Sequence, residues 1–145
     1  MQTDFLSQPQ ASFGLFDNVA TDYLEFGRGD SFNARKVPEL LSLKKEDVSR
    51  IASVAPSSVR YDEHIPAKVR ERMEEIANTI NMVAAVFDGD TQRTVAWFKA
   101  SNPLLGDVSP RDMIRLGRYE RLRKFIVNAA IARRDQPHAS PILAA

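Results

Sequence analysis

Side-chain catalysis needs a nucleophile next to its base, a converging set of metal ligands, or a loop of backbone N–H groups that cradles phosphate. The 145-residue chain has no cysteine and two histidines. His64 falls at an expected helix end and His138 in a C-terminal tail, so they are not expected to form a pair. The nineteen Asp and Glu residues read mostly as surface helix partners of Lys and Arg. No thiolate is available for zinc or a disulfide, and no Gly-rich phosphate loop is present. These residues predict no enzyme: no catalytic centre, no metal site and no cofactor.

Two other sets of side chains are chemically useful, and the first is cationic. Residues 1–34 carry Asp4, Asp17, Asp22, Glu25 and Asp30 against Arg28, a net −4. Residues 35–110 balance. Residues 111–145 carry Arg111, Arg115, Arg118, Arg121, Arg123, Lys124, Arg133 and Arg134 against Asp112, Glu120 and Asp135, a net +5. This gradient turns the C-terminal third toward something anionic, a partner surface or nucleic acid; the alternative is a solvated helix face.

The second set lies in "VPELLSLKKEDVSRIASVAPSSVRYDEHI", residues 37–65. Pro38 suits a first helical turn, with Leu40, Leu41 and Leu43 apolar beside it. Ser42 is the expected cap of a second helix, in which Val48, Ile51 and Ala52 recur at helical spacing. Pro56 ends it, and Ser57 or Ser58 is expected to cap a third helix through Val59, Arg60 and Tyr61. Helix, short turn and helix is the helix-turn-helix pattern, and the stretch resembles the Xre type. That resemblance makes Ser57, Ser58, Arg60 and Tyr61 the candidates for base edges and Lys44 and Lys45 the candidates for phosphates. The segment is neutral as a whole, so binding operator DNA would take two sites and a dimer. The alternative is a helical hairpin kept for packing.

Other elements must position these sets. Val69, Met73, Ile76, Ile80, Val83 and Phe87 recur in steps of four and three, an apolar stripe predicting a long helix over 66–88. It reads as a central core helix, with a dimer seam as the alternative. Gly89 is its expected stop and Asp90 the cap of the next helix, which turns Val95, Ala96, Trp97 and Phe98 toward a core. Asn102-Pro103 breaks that helix, Leu104 and Leu105 pin the loop, and Gly106 permits a tight turn. Ser109 is the expected N-cap and Pro110 the first residue of a short helix that buries Met113, Ile114 and Leu116. Gly117 stops it. A last helix over 118–134 turns Leu122, Phe125, Ile126, Ala129 and Ala130 inward. Residues 1–34 form an irregular arm holding five of the eight Phe (Phe5, Phe13, Phe16, Phe26, Phe32). Such aromatic content predicts that part of the arm packs on the body or on a partner; a short strand near "TDYLEF" is one option.

"WFKASNPLLGDVSPRDMI", residues 97–114, closely resembles the signature of the Xre–MbcA–ParS toxin-binding domain, with Trp, Asn-Pro, Leu, Gly and Ser-Pro in that order before a helix. With the hairpin upstream, residues 37–134 look like an Xre-family antitoxin of a RES–Xre toxin–antitoxin pair. The resemblance implies an all-α fold: an arm (1–36), a helix-turn-helix with its core or dimer helix (37–88), a small toxin-binding helical domain (89–134) and a C-terminal tail (135–145). It implies a homodimer that binds and blocks a RES-domain toxin and represses its own operon. The toxin degrades NAD, so NAD belongs to the partner. The implied toxin-binding residues are Trp97, Asn102, Pro103, Leu105, Gly106, Ser109, Pro110 and Arg111. Two features depart from the family: "GRYERLRKFI" is basic where an acidic last helix is common, and the aromatic arm has no counterpart in the signature.

A further expectation is that Arg133, Arg134 and the tail "DQPHASPILAA" approach the toxin site, with Ile142 and Leu143 as apolar anchors; the alternative is a terminus without a role. The start "MQTDFLSQPQ" lacks a basic stretch followed by an apolar one, and nowhere are there 18 consecutive apolar residues. The expectation is a cytoplasmic protein with no membrane partner. A transcription regulator sharing the fold but lacking a toxin is the competing function.

Overall fold

The computed structural model describes residues 21–135, with side chains as far as Arg133. Among these the chain forms six α-helices and no strand: α1 (Lys36–Leu41), α2 (Lys45–Ala52), α3 (Ala67–Val86), α4 (Thr91–Lys99), α5 (Pro110–Arg115) and α6 (Tyr119–Asp135). Single turns of 3-10 helix sit at Gly29–Ser31, Pro56–Ser58 and Pro103–Leu105. The all-helical expectation holds. None of the described helices is long and apolar enough to cross a membrane. The expected roles of Arg134, Ile142, Leu143 and the rest of the tail lie outside the described side chains, as do Phe5, Phe13, Phe16 and His138.

α3 is the axis of the molecule. Its expected stripe of Val69, Met73, Ile76, Ile80 and Val83 is buried, each residue at most 1% exposed. From Ile76 to Ala84 the helix is buried on every side, Asn78, Thr79 and Asn81 included. α1, α2, α4 and α6 all pack against it. A large apolar side chain contributes about 1.5–3 kcal/mol when buried, so the stripe is spent inside this chain and a second copy has no access to it. Buried residues from Leu24 to Ala129 belong to one contiguous core, in which α3 and α4 meet at the Gly89 turn. Glu120 of α6 pairs with Arg72 of α3 at 3.2 Å, and Tyr119 shares a buried hydrogen bond of 3.1 Å with Thr79.

The described part of the arm, residues 21–34, packs on this core without forming a strand. Leu24 and Phe26 are buried, and the polar residues of α3 hold them there. Asn81 accepts from the Leu24 N–H at 3.2 Å and donates to Asp22 at 3.0 Å. Asp22 in turn accepts from the Phe26 and Gly27 N–H groups at 3.0 and 2.8 Å. A buried amide with both ends satisfied offsets the cost of its own burial. Burial pushes the Asp22 carboxyl up, but Asn81 and the two backbone donors outweigh it and hold the group below the ordinary carboxylate range.

Most helix boundaries follow the local chemistry, with Ser42 a departure, and several side chains face elsewhere than expected. Gly89 takes φ +82° and donates to Ala84 O at 2.8 Å, closing α3 as expected, and the Asp90 carboxylate accepts from Arg93 N–H at 3.1 Å to open α4. Ser42 does not cap α2. It ends α1 in the left-handed region (φ 55°), and Asp47 opens α2 by accepting from the Lys44 N–H at 2.8 Å. Ala96 is exposed and Thr94 takes the buried position instead, because α4 is seated by Thr94, Trp97 and Phe98. Leu104 and Leu116 are each 59% exposed: each sits beside a left-handed turn that carries it off the core. Phe125 and Ala130 are half-buried beside the fully buried Leu122 and Ile126.

Candidate partner-binding surface

The expected third helix of the hairpin is absent. Pro56–Ser58 makes one 3-10 turn, and Val59 is already extended (φ −77°, ψ 114°). The reason lies in Asp62 and Pro66. Arg60 grips Asp62 through two bonds of 2.8 and 2.6 Å, and Asp62 also accepts from the His64 N–H at 3.0 Å. These contacts bring the Asp62 carboxyl down to about 2. A carboxylate that bonds its own neighbours offers the backbone a turn in place of a helix, and Pro66 disfavours helix at the residue before it. Val59 is the one buried side chain of 57–64, too little apolar surface to offset helix nucleation.

The four side chains assigned to base edges therefore have no recognition helix to carry them. Ser57 and Ser58 are exposed on the 3-10 turn. Arg60 is committed to Asp62, and half-buried Tyr61 lies under the Arg35 guanidinium, 5.2 Å from its ring centre. Lys44 and Lys45 are exposed at the start of α2. Lys45, Arg60 and Tyr61 do come together, around an open groove of about 500 Å³ whose apolar lining is Pro38, Leu43 and Val59. Ser57 and Ser58 lie outside it.

Residues 97–111 are brought together, and most serve as framework. Asn102 is 3% exposed and organises the loop after α4. Its side chain accepts from the Leu104 N–H at 2.9 Å, its carbonyl from Leu105 and Asp107, and its N–H donates to Val108 O at 3.2 Å. Pro103 opens the 3-10 turn at the surface, Leu105 is half-buried, and Gly106 supplies φ +79°. The Ser109 hydroxyl accepts from the Asp112 N–H at 3.0 Å, with Pro110 buried as the first residue of α5. Arg111 faces inward: its guanidinium binds Leu41 O and, at 2.7 Å, Ser42 O, capping the end of α1. A cation on terminal helix carbonyls is a favourable cap. Asp47 extends this seam through Arg115 at 3.4 Å. Burial raises the Asp47 carboxyl, yet the Lys44 N–H and the Arg115 and Arg50 guanidiniums outweigh that and leave it lowered.

Arg93 and the cleft it shares with Trp97 are what the sequence did not single out. Trp97 is 6% exposed and meets Phe98 edge-on at 5.1 Å, but its indole N–H has no acceptor among the described residues. It lines a second cleft with Phe87, Arg93, Ala96, Ala100, Ser101 and Asn102. Arg93 stands four residues before Trp97, a same-face spacing that was legible. Just before and along α6 the exposed Arg118, Arg121 and Lys124, spaced by three, bond no carboxylate of the described residues, whereas Arg123 pairs with Glu120 at 3.3 Å. Arg133 is exposed on the last turns of α6. No family model, curated protein or solved structure matches the chain.

Proposed function

We propose that the chain is the antitoxin of a RES–Xre pair, a non-enzymatic protein that binds a RES-type NAD-degrading toxin and blocks its active site. One observation supports this most: the residues that carry the resemblance fold into one continuous piece. Asn102, Gly106, Ser109 and Arg111 fix the angle between α4 and α5 and tie it to α1. The same piece exposes Pro103, Leu104 and Leu116 and leaves the cleft beside Trp97 open. Buried polar groups hold the frame, and apolar side chains face outward, as a protein-binding surface requires.

Operon repression belongs to this proposal in a changed form. With no recognition helix at 57–61, the cations left for phosphates are Lys44 and Lys45 at the start of α2 and Arg118, Arg121 and Lys124 at α6. Dimerisation would use a face other than the consumed stripe of α3. Co-expression of this chain with the product of the adjacent gene tests the reading. Growth is expected to be restored and the two proteins to co-purify; a toxic partner that neither binds nor is neutralised overturns it. Deleting residues 135–145 assigns the tail: a truncated chain that neutralises fully removes the tail from the mechanism.

A further inference from the structure

Arg118, Arg121 and Lys124 follow one another at steps of three, the first just before α6 and the others on it, and form a ridge about 9 Å long. Four other helical arginines are paired: Arg50 with Asp47 at 3.4 Å, Arg70 with Glu74 at 3.5 Å, Arg72 with Glu75 at 2.6 Å and Arg115 with Asp112 at 2.9 Å. The ridge has no such partner among the described residues, because Glu120, the acid beside it, is turned to Arg72 and Arg123. A face kept only for solvation interleaves its charges; this one concentrates a single sign. The exposed residues of 117–130 are Gly117, Arg118, Glu120, Arg121, Lys124 and Asn128, with no aromatic among them. Leu116 and Ile131 are exposed only beyond the two ends of this stretch.

We propose that this ridge binds the phosphate backbone of duplex DNA without reading its bases. A duplex carries one negative charge for about every 1.7 Å of its axis, so a row of cations about 9 Å long meets several phosphates at once. A protein partner needs an apolar centre to its interface, and a membrane needs an apolar face to enter it; no apolar side chain is exposed between 117 and 130. Single strands are held by stacking on aromatic side chains, which the ridge also lacks. Lys44 and Lys45, the other cations open to phosphate, are followed at once by Glu46 and Asp47, so the stronger attraction lies at α6. The contacts are to phosphate alone, since no helix stands at 57–61 to enter a groove. Resting on the DNA part of the reading above and on none of its toxin part, backbone binding gives this chain affinity without a choice of operator.

The test is fluorescence anisotropy of two labelled duplexes of unrelated sequence, titrated with the full chain between about 50 and 200 mM NaCl. Three phosphate contacts give a slope of about −2.7 in log K against log salt, a loss of about fortyfold over that range, equal for both duplexes. Arg121→Gln, at an exposed position, is expected to bring the slope to about −1.8 while melting at the wild-type temperature. Arg93→Gln removes the same charge from an exposed position on α4 and is expected to leave the slope as in wild type. A slope lowered equally by both variants makes net charge the cause and overturns the ridge, and an unchanged slope in R121Q does the same. A preference of more than about tenfold for one duplex means that bases are read and overturns it too. Binding to polyglutamate but not to either duplex makes an acidic protein surface the partner, and no binding at the lowest salt leaves the ridge without a ligand; both overturn it. None of these failures touches toxin neutralisation, which co-expression measures separately.

Discussion

Residues 56–66 and 109–117 share their punctuation, a serine beside a proline followed by Arg and an acid, yet only the second makes a helix. Ser109 finds the Asp112 N–H at 3.0 Å, and the next turn sinks Met113 and Ile114, 3% and 0% exposed, into the core. Ser57 and Ser58 open a segment in which Val59 alone is buried and Asp62 spends its carboxylate on Arg60 and His64. A capping residue thus proposes a helix, and buried side chains in the following turn decide whether it forms. The contrast also separates a corner pinned to the core from a loop without a helix.

The comparison breaks most readily at the buried turn. Ile114→Ala is expected to lose about 2–5 kcal/mol in chemical denaturation, whereas Val59→Ala is expected to lose about 1–2 kcal/mol with no change in helical circular dichroism. Equal losses would mean that the loop is as tightly built as the corner.

Asp47 ties α2 to the second region, since it opens α2 and pairs with Arg115 of α5. Its carboxyl is lowered in the folded chain, so its contribution is complete above the unfolded value, about 3.9, and is lost as pH falls through the lower folded value. Denaturation followed from pH 7 to 2.5 is expected to show stability falling below about pH 4. Asp47→Asn should start about 1–3 kcal/mol less stable at pH 7 and lose less over the same range. Identical pH profiles for the two proteins would remove Asp47 from the seam.

The smallest effect is the most direct comparison of the two serines. Ser109→Ala is expected to cost about 1 kcal/mol as a lost N-cap. Ser57→Ala and Ser58→Ala should each stay within about 0.5 kcal/mol of wild type. A cap-sized loss at Ser58 would restore a helix at 58–61 in solution.

Long-range periodicity made the centre of this molecule readable: the steps of four and three from Val69 to Phe87 foretold α3 and its burial. Gly89, Asp90, Ser109 and Pro110 foretold the ends of helices, because each acts through its own backbone neighbours. The exposure of Leu116 and Leu104 was not readable, since it depends on where left-handed turns at Gly106 and Gly117 send the chain. Nor was the inward use of Arg111, whose partners in α1 are about 70 residues earlier. Docking of the arm through Asp22 and Asn81 follows the same rule: aromatic content announced that something packs, and only the fold says on what.

The antitoxin reading is tested most directly by NAD consumption in a purified system. A RES-domain protein encoded beside this chain should hydrolyse NAD alone and lose that activity as this chain is added to equivalence. Undiminished NAD loss in excess of this chain would contradict it.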